Sequence, residues 1–170
     1  VGGARRRDLL RSDRQVAVVG ERRVVLDGAV GSIATARAQV ALQLAIMSIM
    51  DAGAQIVASS ALYGGSHNLL AYTLPRFGIT TTFVDPRDEE ALRAAIRPET
   101  RLIFGETVGN PGLDVLNIPR VSAIAHEHGL PLLFDSTFTT PYLIKPFALG
   151  ADPVMPSSPH FLLVHGPVTV

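Results

Sequence analysis

The chain has 170 residues, with 15 basic and 15 acidic side chains, so it carries no formal net charge at pH 7. A neutral chain has no field that draws it to nucleic acid or to an anionic membrane, and we expect neither as a partner. The absence of cysteine excludes disulfides, thiolate nucleophiles and cysteine-based metal sites. Because no apolar stretch reaches the ~18 residues that a membrane-spanning helix needs, the sequence predicts a soluble, cytoplasmic protein.

Hydrophobic residues make up 47% of the chain and charged residues 18%. A charged share below the usual quarter indicates a core-rich α/β domain, or a domain whose surface is partly covered by a partner. A genome bias towards alanine, valine and leucine gives the same figures, so composition leaves both interpretations open.

Along the chain, short apolar runs alternate with segments of helical character. We expect residues 1–15 to be a poorly ordered N-terminal segment and residues 16–170 to form one domain. The predicted helices cover residues 16–26, 38–52, 65–74, 88–96 and 118–128, and the predicted strands cover residues 55–59, 80–84, 101–106 and 132–135. Strands that alternate with crossover helices predict a mostly parallel sheet with helices on both faces.

Three polar residues end predicted strands, namely Ser59, Glu106 and Asp135. In open parallel sheets, ligands bind beyond the carboxyl ends of the strands. Asp135 follows the apolar run Pro-Leu-Leu-Phe, where a carboxylate is costly without a cationic partner. A protonated pyridine nitrogen is one such partner. An ordinary turn or N-cap aspartate is the alternative.

Two loops after predicted strands contain candidate ligand contacts. In residues 63–66 (Tyr-Gly-Gly-Ser), the glycines allow close backbone approach and the Tyr63 ring can stack on a flat molecule. In residues 109–111 (Gly-Asn-Pro), the Asn110 amide is a candidate donor, although the same residues are typical of a simple turn. Both loops are equally consistent with ordinary connections.

Other site types find weak support or none. Residues 35–39 begin the predicted helix 38–52, where free N–H groups attract a phosphate, but that loop contains no glycine. His126 and His128 are two residues apart on a helix, so they point to different faces and do not form a metal pair. The sequence contains no nucleophile elbow, no Walker loop and no dinucleotide-binding glycine motif.

Four stretches in a fixed order carry a family resemblance: residues 58–66 (ASSALYGGS), 72–79 (YTLPRFGI), 104–115 (FGETVGNPGLDV) and 134–142 (FDSTFTTPY). Together they resemble the Cys/Met-metabolism (transsulfuration) family of enzymes that depend on pyridoxal 5′-phosphate (PLP), and within it the O-acetylhomoserine sulfhydrylases most. The resemblance implies that residues 16–170 are an incomplete PLP-binding large domain of the type I fold, with the C-terminal domain absent.

The resemblance also implies roles around the cofactor ring. Asp135 would pair with the pyridine nitrogen, and Tyr63 would stack on the ring and assist proton transfer. Asn110 would contact the ring oxygen, with Glu106 supporting that wall of the site. Thr137 would lie under the ring.

At the phosphate, the resemblance implies contacts from Ser157 and from the backbone N–H of Gln39. The same region departs from the family pattern. The family's Ser-x-Thr-Lys is Ser-Ser-Pro-His at residues 157–160, so Pro159 removes a hydroxyl and His160 replaces the lysine that forms the Schiff base. Because imidazole has no primary amine, we expect no covalent attachment of PLP.

Further departures lie near both ends. The family's Tyr-x-Arg, which reaches a neighbouring subunit's phosphate site, is Asp-Leu-Leu at residues 8–10. The family's Ser-Gly before Gln39 is Arg-Ala at residues 37–38. Pro153 and Pro156 fall in an expected strand, where proline removes a ladder donor.

The implied function is PLP-dependent sulfhydrylation of O-acetyl-L-homoserine to homocysteine, with a small amino-acid substrate and a homo-oligomeric assembly. The loss of the lysine predicts that this chain is impaired. Two alternatives stay open. One is an inactive homologue that acts only as a binding or assembly module, and the other is an activity of the cystathionine γ-synthase or methionine γ-lyase type.

Overall fold

A single parallel sheet organises the part of the chain that the computed structural model describes, which is residues 33, 35, 37–139 and 143–155. Its strands are β1 (Gln55–Ser59), β2 (Thr80–Val84), β3 (Thr100–Glu106), β4 (Leu132–Asp135) and β5 (Val154–Met155). Their spatial order is β2-β1-β3-β4-β5, and every pairing is parallel. The predicted α/β class and the four predicted strands are confirmed.

One helix precedes the first strand, and the others lie in connections between strands. The helices are α1 (Ala38–Ile49), α2 (Gly64–Asn68), α3 (Glu89–Ala95) and α4 (Ile118–Glu127). The predicted cap of α3 is confirmed, because the Asp88 carboxylate accepts from the Ala91 N–H at 2.9 Å. The cap of α4 was missed: the Asn117 side chain accepts from the Arg120 N–H at 3.2 Å. The predicted helix over residues 16–26 lies outside the described residues, as do Pro156, Ser157, Pro159 and His160.

The predicted helix 65–74 is wrong as a single element. After α2, a π-helical turn covers Leu69–Thr73 and a 3-10 turn covers Leu74–Phe77. Pro75 lies in the first residues of that 3-10 turn, and Gly78 ends it with a φ of 77°. Because proline lacks an N–H and its ring clashes with the preceding turn, the chain tightens here instead of continuing an α-helix.

The two faces of the sheet carry separate apolar layers. On one face, α1 and residues 69–79 pack against β1, β3 and β4, with Leu42, Ile46 and Leu70 fully buried. On the other face, α3 and α4 cover the sheet through Leu92 and Ile124. Both layers position the strand ends, because every strand is held between helices.

Helix α1 does not match the prediction of a helix buried on all sides. Leu42 and Ile46 face the sheet, but Val40, Leu44 and Met47 are 42%, 56% and 42% exposed. Their spacing places these three residues on one face of the helix. In the described structure, α1 therefore buries one side and leaves an apolar face outward.

Strand β5 forms despite the proline that precedes it. The Pro153 carbonyl accepts from the Phe134 N–H at 3.1 Å, and the Met155 carbonyl accepts from the Ser136 N–H at 2.9 Å. In these two bonds the β5 side supplies acceptors, which proline retains. These bonds need no donor from Pro153, so they do not test the expected loss of a ladder donor, which stays a prediction.

Candidate active site

The carboxyl edge of the sheet brings together the ends of three central strands. β1 ends at Ser59, β3 at Glu106 and β4 at Asp135, and Glu106 and Asp135 are register partners on adjacent strands. The prediction that these three residues lie at the carboxyl ends of strands is confirmed. Ser59 joins Glu106 in lining a cleft beside it.

Glu106 is buried, with 6% of its surface exposed. Its carboxylate accepts the backbone N–H of Tyr63 at 2.9 Å, which ties the loop after β1 to the end of β3. Burial raises the pKa of Glu106 to about 7, the Tyr63 N–H opposes that rise, and the charge of Asp135 adds to it. Glu106 is thus poised to hold or lose a proton near neutral pH.

Asp135 is partly buried, and burial is the main cause that raises its pKa. Hydrogen bonds from Thr137 act in the opposite direction, and the Thr137 N–H donates to the Asp135 carboxylate at 2.8 Å. Among the described residues, no arginine, lysine or histidine forms an ion pair with Asp135 or Glu106. Two neighbouring carboxyl groups therefore lie at one strand edge, and the described residues place no cationic side chain in an ion pair with either.

Tyr63 and Gln39 converge on Gly65. A Cβ at residue 65 would lie 2.6 Å from Cε1 of the Tyr63 ring and 2.9 Å from the Gln39 side-chain nitrogen. Any side chain at position 65 would therefore displace one of them. The Tyr63 residue remains 53% exposed, so its ring is available to a ligand at this edge.

Asn110 lies in a cleft of about 350 Å³. The cleft is lined by the ends of β1 and β3 and by the loops after them, through Ser59, Ala61, Glu106 and Gly109 among others. The peptide bond between Asn110 and Pro111 is cis. Asp135 and Thr137 do not line this cleft, because β4 lies on the other side of β3. Glu106 both lines this cleft and pairs in register with Asp135.

Sequence reasoning missed the contacts that join the loops after β3 and β4. Thr107 and Thr139 share a buried hydrogen bond of 3.0 Å, and the Thr107 N–H donates to the Asp135 carbonyl at 2.9 Å. Arg87, which lines the outer cleft, forms ion pairs with Asp85 and Asp114. These residues are separated in the sequence by up to 32 positions, and no local pattern signals such pairs.

The described part of the site fits a PLP ring. A cationic ring nitrogen would be the positive partner that Asp135 and Glu106 do not have among the described residues. The buried hydroxyl of Ser136, next to Asp135, has no hydrogen-bond partner among the described residues, which leaves an unused polar atom at this edge. The predicted phosphate contact Ser157 and the tether position His160 lie outside the described residues, and Lys145, the one lysine of the chain, is exposed.

The described ranges lack a candidate metal cluster and a helix that could span a membrane. No group of three or more histidine, cysteine, aspartate or glutamate side chains is arranged to hold a metal ion there. Nor does any described helix have the length and apolar character required to cross a bilayer.

Comparisons with known proteins agree with this geometry. The family model for Cys/Met metabolism PLP-dependent enzymes matches residues 11–170. The O-acetyl-L-homoserine sulfhydrylase of Leptospira meyeri is 48% identical over 149 residues, which are 88% of this chain and 34% of that protein. The L-methionine gamma-lyase of Treponema denticola is 39% identical over 153 residues, which are 89% of this chain and 38% of that protein.

Solved structures give the same family. The O-acetylhomoserine sulfhydrylase of Wolinella succinogenes superposes with a TM-score of 0.79 at 37% identity, covering 83% of this chain and 40% of that chain. The cystathionine gamma-lyase of Lactobacillus plantarum, complexed with L-serine, superposes with a TM-score of 0.82 at 35% identity, covering 85% and 38%. This chain thus spans about a third of the length of the curated relatives named above.

Proposed function

This chain is a member of the Cys/Met metabolism PLP-dependent enzymes, and from that premise we propose that its activity class is PLP-dependent sulfhydrylation of O-acetyl-L-homoserine to homocysteine. We propose further that these 170 residues hold PLP without a covalent bond and are catalytically impaired. The observation that carries the cofactor proposal is the Glu106–Asp135 pair, which lacks a cation among the described residues.

Each residue of the carboxyl edge would make a different contact with the ring. Bound PLP supplies an electron sink for the substrate's α-carbon. Asp135 would accept the ring N–H, Asn110 would donate to the ring oxygen, and Thr137 would lie beneath the ring while its N–H orients Asp135. Tyr63 would stack on the ring, and its phenol would exchange protons with the substrate.

The phosphate end would rest on Ser157 and on the N-terminal turn of α1, where the Gln39 N–H is one of the free donors. The proximity of the Gln39 side chain to Gly65 and the Tyr63 ring supports this placement, because it brings that turn next to the ring contacts. Arg37 precedes the helix and adds a positive charge near the same turn.

Impairment follows from the chemistry of position 160. A primary amine there would serve both as tether and as base, and the His160 imidazole offers no nitrogen that condenses with an aldehyde to a stable adduct. The substrate's α-proton would therefore lack its usual acceptor. Sulfhydrylation by the chain as it stands is expected to be absent or nearly absent.

The test is reductive trapping of PLP with borohydride, followed by mass spectrometry of tryptic peptides. A Lys145→Arg background removes the one lysine side chain that would condense non-specifically. We expect no adduct on the peptide containing His160, and a stoichiometric adduct on the same peptide after His160→Lys. An adduct at position 160 without the substitution, or none after it, would contradict the proposal.

A second candidate is a γ-lyase activity. It is favoured by the similarity to the L-methionine gamma-lyase of Treponema denticola and by the TM-score of 0.82 with the cystathionine gamma-lyase structure. The His160→Lys variant distinguishes the two reactions. Homocysteine formed from O-acetylhomoserine and sulfide supports the first, whereas 2-oxobutanoate formed without sulfide supports the second.

We propose a homo-oligomeric, cytoplasmic protein that acts on a small amino acid. The exposed apolar face of α1, formed by Val40, Leu44 and Met47, supports assembly because such a face is costly in water. Size-exclusion chromatography with light scattering tests this. A monomer at all concentrations would refute the assembly, whereas association with a full-length homologue alone would favour a binding module.

A further inference from the structure

Glu106 and Asp135 form one electrostatic unit across neighbouring strands. They are register partners on β3 and β4, and adjacent strands lie about 5 Å apart. The charge of Asp135 is one of the causes that disfavour the charged form of Glu106, so in this partly desolvated edge one of the two groups is expected to hold a proton.

The surroundings indicate which one. Asp135 receives the Thr137 N–H at 2.8 Å and a further hydrogen bond from the Thr137 side chain, both of which favour its charged form. Glu106 also has two polar neighbours, the Tyr63 N–H at 2.9 Å and the Ser66 hydroxyl, so hydrogen bonding does not separate the two groups. Burial separates them, because Glu106 is 6% exposed whereas Asp135 is only partly buried. The better-stabilised charge is therefore on Asp135, and the proton is on Glu106.

We propose that Glu106 is the proton-carrying member of this pair, a positioning residue that lets Asp135 keep its charge for a cationic ring nitrogen and that loses its own proton when such a cation binds. The last clause rests on the proposed PLP site, whereas the ordering of the two groups does not. A cation at Asp135 cancels the charge that opposes ionisation of Glu106, and the proton leaves to solvent.

Other charged groups near Glu106 do not replace this pairing. The elements packed around it contribute the Tyr63 N–H and the Ser66 hydroxyl, which are uncharged, and Asp135 is the described charge that acts on it. Asp85, Arg87 and Asp114 line the outer part of the adjoining cleft, where they pair with one another in an exposed cluster.

Two backbone amides report on the two carboxyl groups separately. The chemical shift of the Tyr63 amide reports the protonation of Glu106, and that of the Thr137 amide reports the protonation of Asp135, because each amide donates to that carboxyl group. We expect an ¹H–¹⁵N NMR titration of the free 170-residue protein to show the Tyr63 amide shifting with a midpoint near pH 7, and the Thr137 amide shifting at lower pH. The Arg87 amide, which donates to exposed Asp85, is the control and stays flat above about pH 5, because Arg87 lowers the pKa of Asp85 to about 2.

Two conservative variants test the order. Asp135→Asn is expected to lower the Tyr63 midpoint by about one pH unit, the coupling at which two sites titrate as a pair. Glu106→Gln is expected to leave the Thr137 midpoint in place, because Asp135 titrates while Glu106 is still neutral. The opposite result, in which Glu106→Gln shifts Thr137 and Asp135→Asn leaves Tyr63 unchanged, would overturn the assignment. A role limited to holding the loop would move neither midpoint, which also overturns it.

The loaded protein tests the remaining clause. With saturating PLP, the Tyr63 midpoint is expected to fall relative to the free protein. If PLP binds and the midpoint stays or rises, proton release is refuted and the cofactor proposal stands. If PLP does not bind, the cofactor proposal and the release clause fail together, and the free-protein titration alone decides whether Glu106 carries the proton. Dispersed spectra of each variant establish that it is folded.

Discussion

Two aspartates at opposite edges of the sheet have opposite environments. At the edge where the strands begin, the Asp152 carboxylate accepts the Leu132 N–H at 2.8 Å and contacts the His126 ring nitrogen at 3.0 Å. At the edge where the strands end, Asp135 and Glu106 have only uncharged donors among the described residues. Within the described residues, the carboxylate of the first edge has a histidine partner, whereas the carboxyl groups of the second edge have no cationic partner.

The same contrast extends along each edge. At the beginning of the strands, buried Gln55 donates to the Thr82 hydroxyl at 2.8 Å and accepts from the Thr100 hydroxyl, so β1, β2 and β3 are joined by one network. At the end of the strands, the Ser136 hydroxyl is buried without a described partner. The difference indicates that the beginning of the sheet provides stability and that the end gives some of it up for binding.

The largest effect on stability is expected from Glu106→Gln. Because burial raises the pKa of Glu106 from 4.5 to about 7, the wild-type chain loses stability as the pH rises from the lower value to the higher one. Linkage gives this loss as on the order of 2–3 kcal/mol. The variant is expected to show no such loss, measured as the free energy of unfolding in urea at pH 5 and at pH 8.

Asp85→Asn is the matched control for that experiment. The Arg87 guanidinium lowers the pKa of Asp85 to about 2, so any stability that Asp85 contributes is lost only as the pH falls below its unfolded value of 3.8. In the Asp85→Asn variant, the free energy of unfolding is expected to differ between pH 5 and pH 8 by as much as it does in the wild-type chain. Equal pH dependence in the Glu106→Gln and wild-type proteins would contradict the contrast between the two edges.

The second effect is expected from Thr100→Val at the opposite edge. The Thr100 hydroxyl donates to Gln55 and accepts from the Arg97 N–H at 2.8 Å, so valine leaves two polar groups unsatisfied. The expected loss is about 1–3 kcal/mol and independent of pH. Unchanged stability in urea unfolding would show that the network at this edge is not what stabilises the sheet.

The smallest effect is expected from Asp152→Asn, at about 0.5–1.5 kcal/mol. The amide keeps one acceptor for the Leu132 N–H but loses the charge opposite His126. The dissociation constant for PLP is expected to change little in this variant, because the substitution loosens β5 only locally. The change is expected to be much smaller than that caused by Asp135→Asn. A comparable loss of affinity from both variants would erase the distinction between the edges.

Much of the fold was accessible from the sequence because its signals are local. The alternation of apolar strands with capped helices predicted the parallel sheet, and Asp88 acts as the predicted cap. Residues 69–77 form π-helical and 3-10 turns, which differ from the predicted α-helix, because Pro75 interrupts the helical pattern. Hydrophobic periodicity does not distinguish such turns from an α-helix. The exposed face of α1 was missed because an all-apolar pattern does not say which sides a sheet covers.

The site was predictable only in part. The order of strands placed Glu106 and Asp135 at one edge, but their direct pairing depends on β3 and β4 being neighbours, which the sequence does not state. The contact between the Tyr63 N–H and Glu106 joins residues 43 positions apart and has no sequence signature. The roles of Gln39, Asn110, Thr137 and Ser157 in cofactor binding stay predictions.

The most direct measurement is a titration of PLP into the chain, followed by absorbance, in wild-type, Asp135→Asn and Asp88→Asn proteins. Asp88→Asn is a matched control, because asparagine caps a helix as well as aspartate does. A charge-assisted hydrogen bond contributes about 1.5–3 kcal/mol, so Asp135→Asn is expected to weaken binding roughly 10- to 100-fold while Asp88→Asn leaves it unchanged. Equal affinity in all three proteins would contradict the claim that the strand-end carboxylate holds the ring.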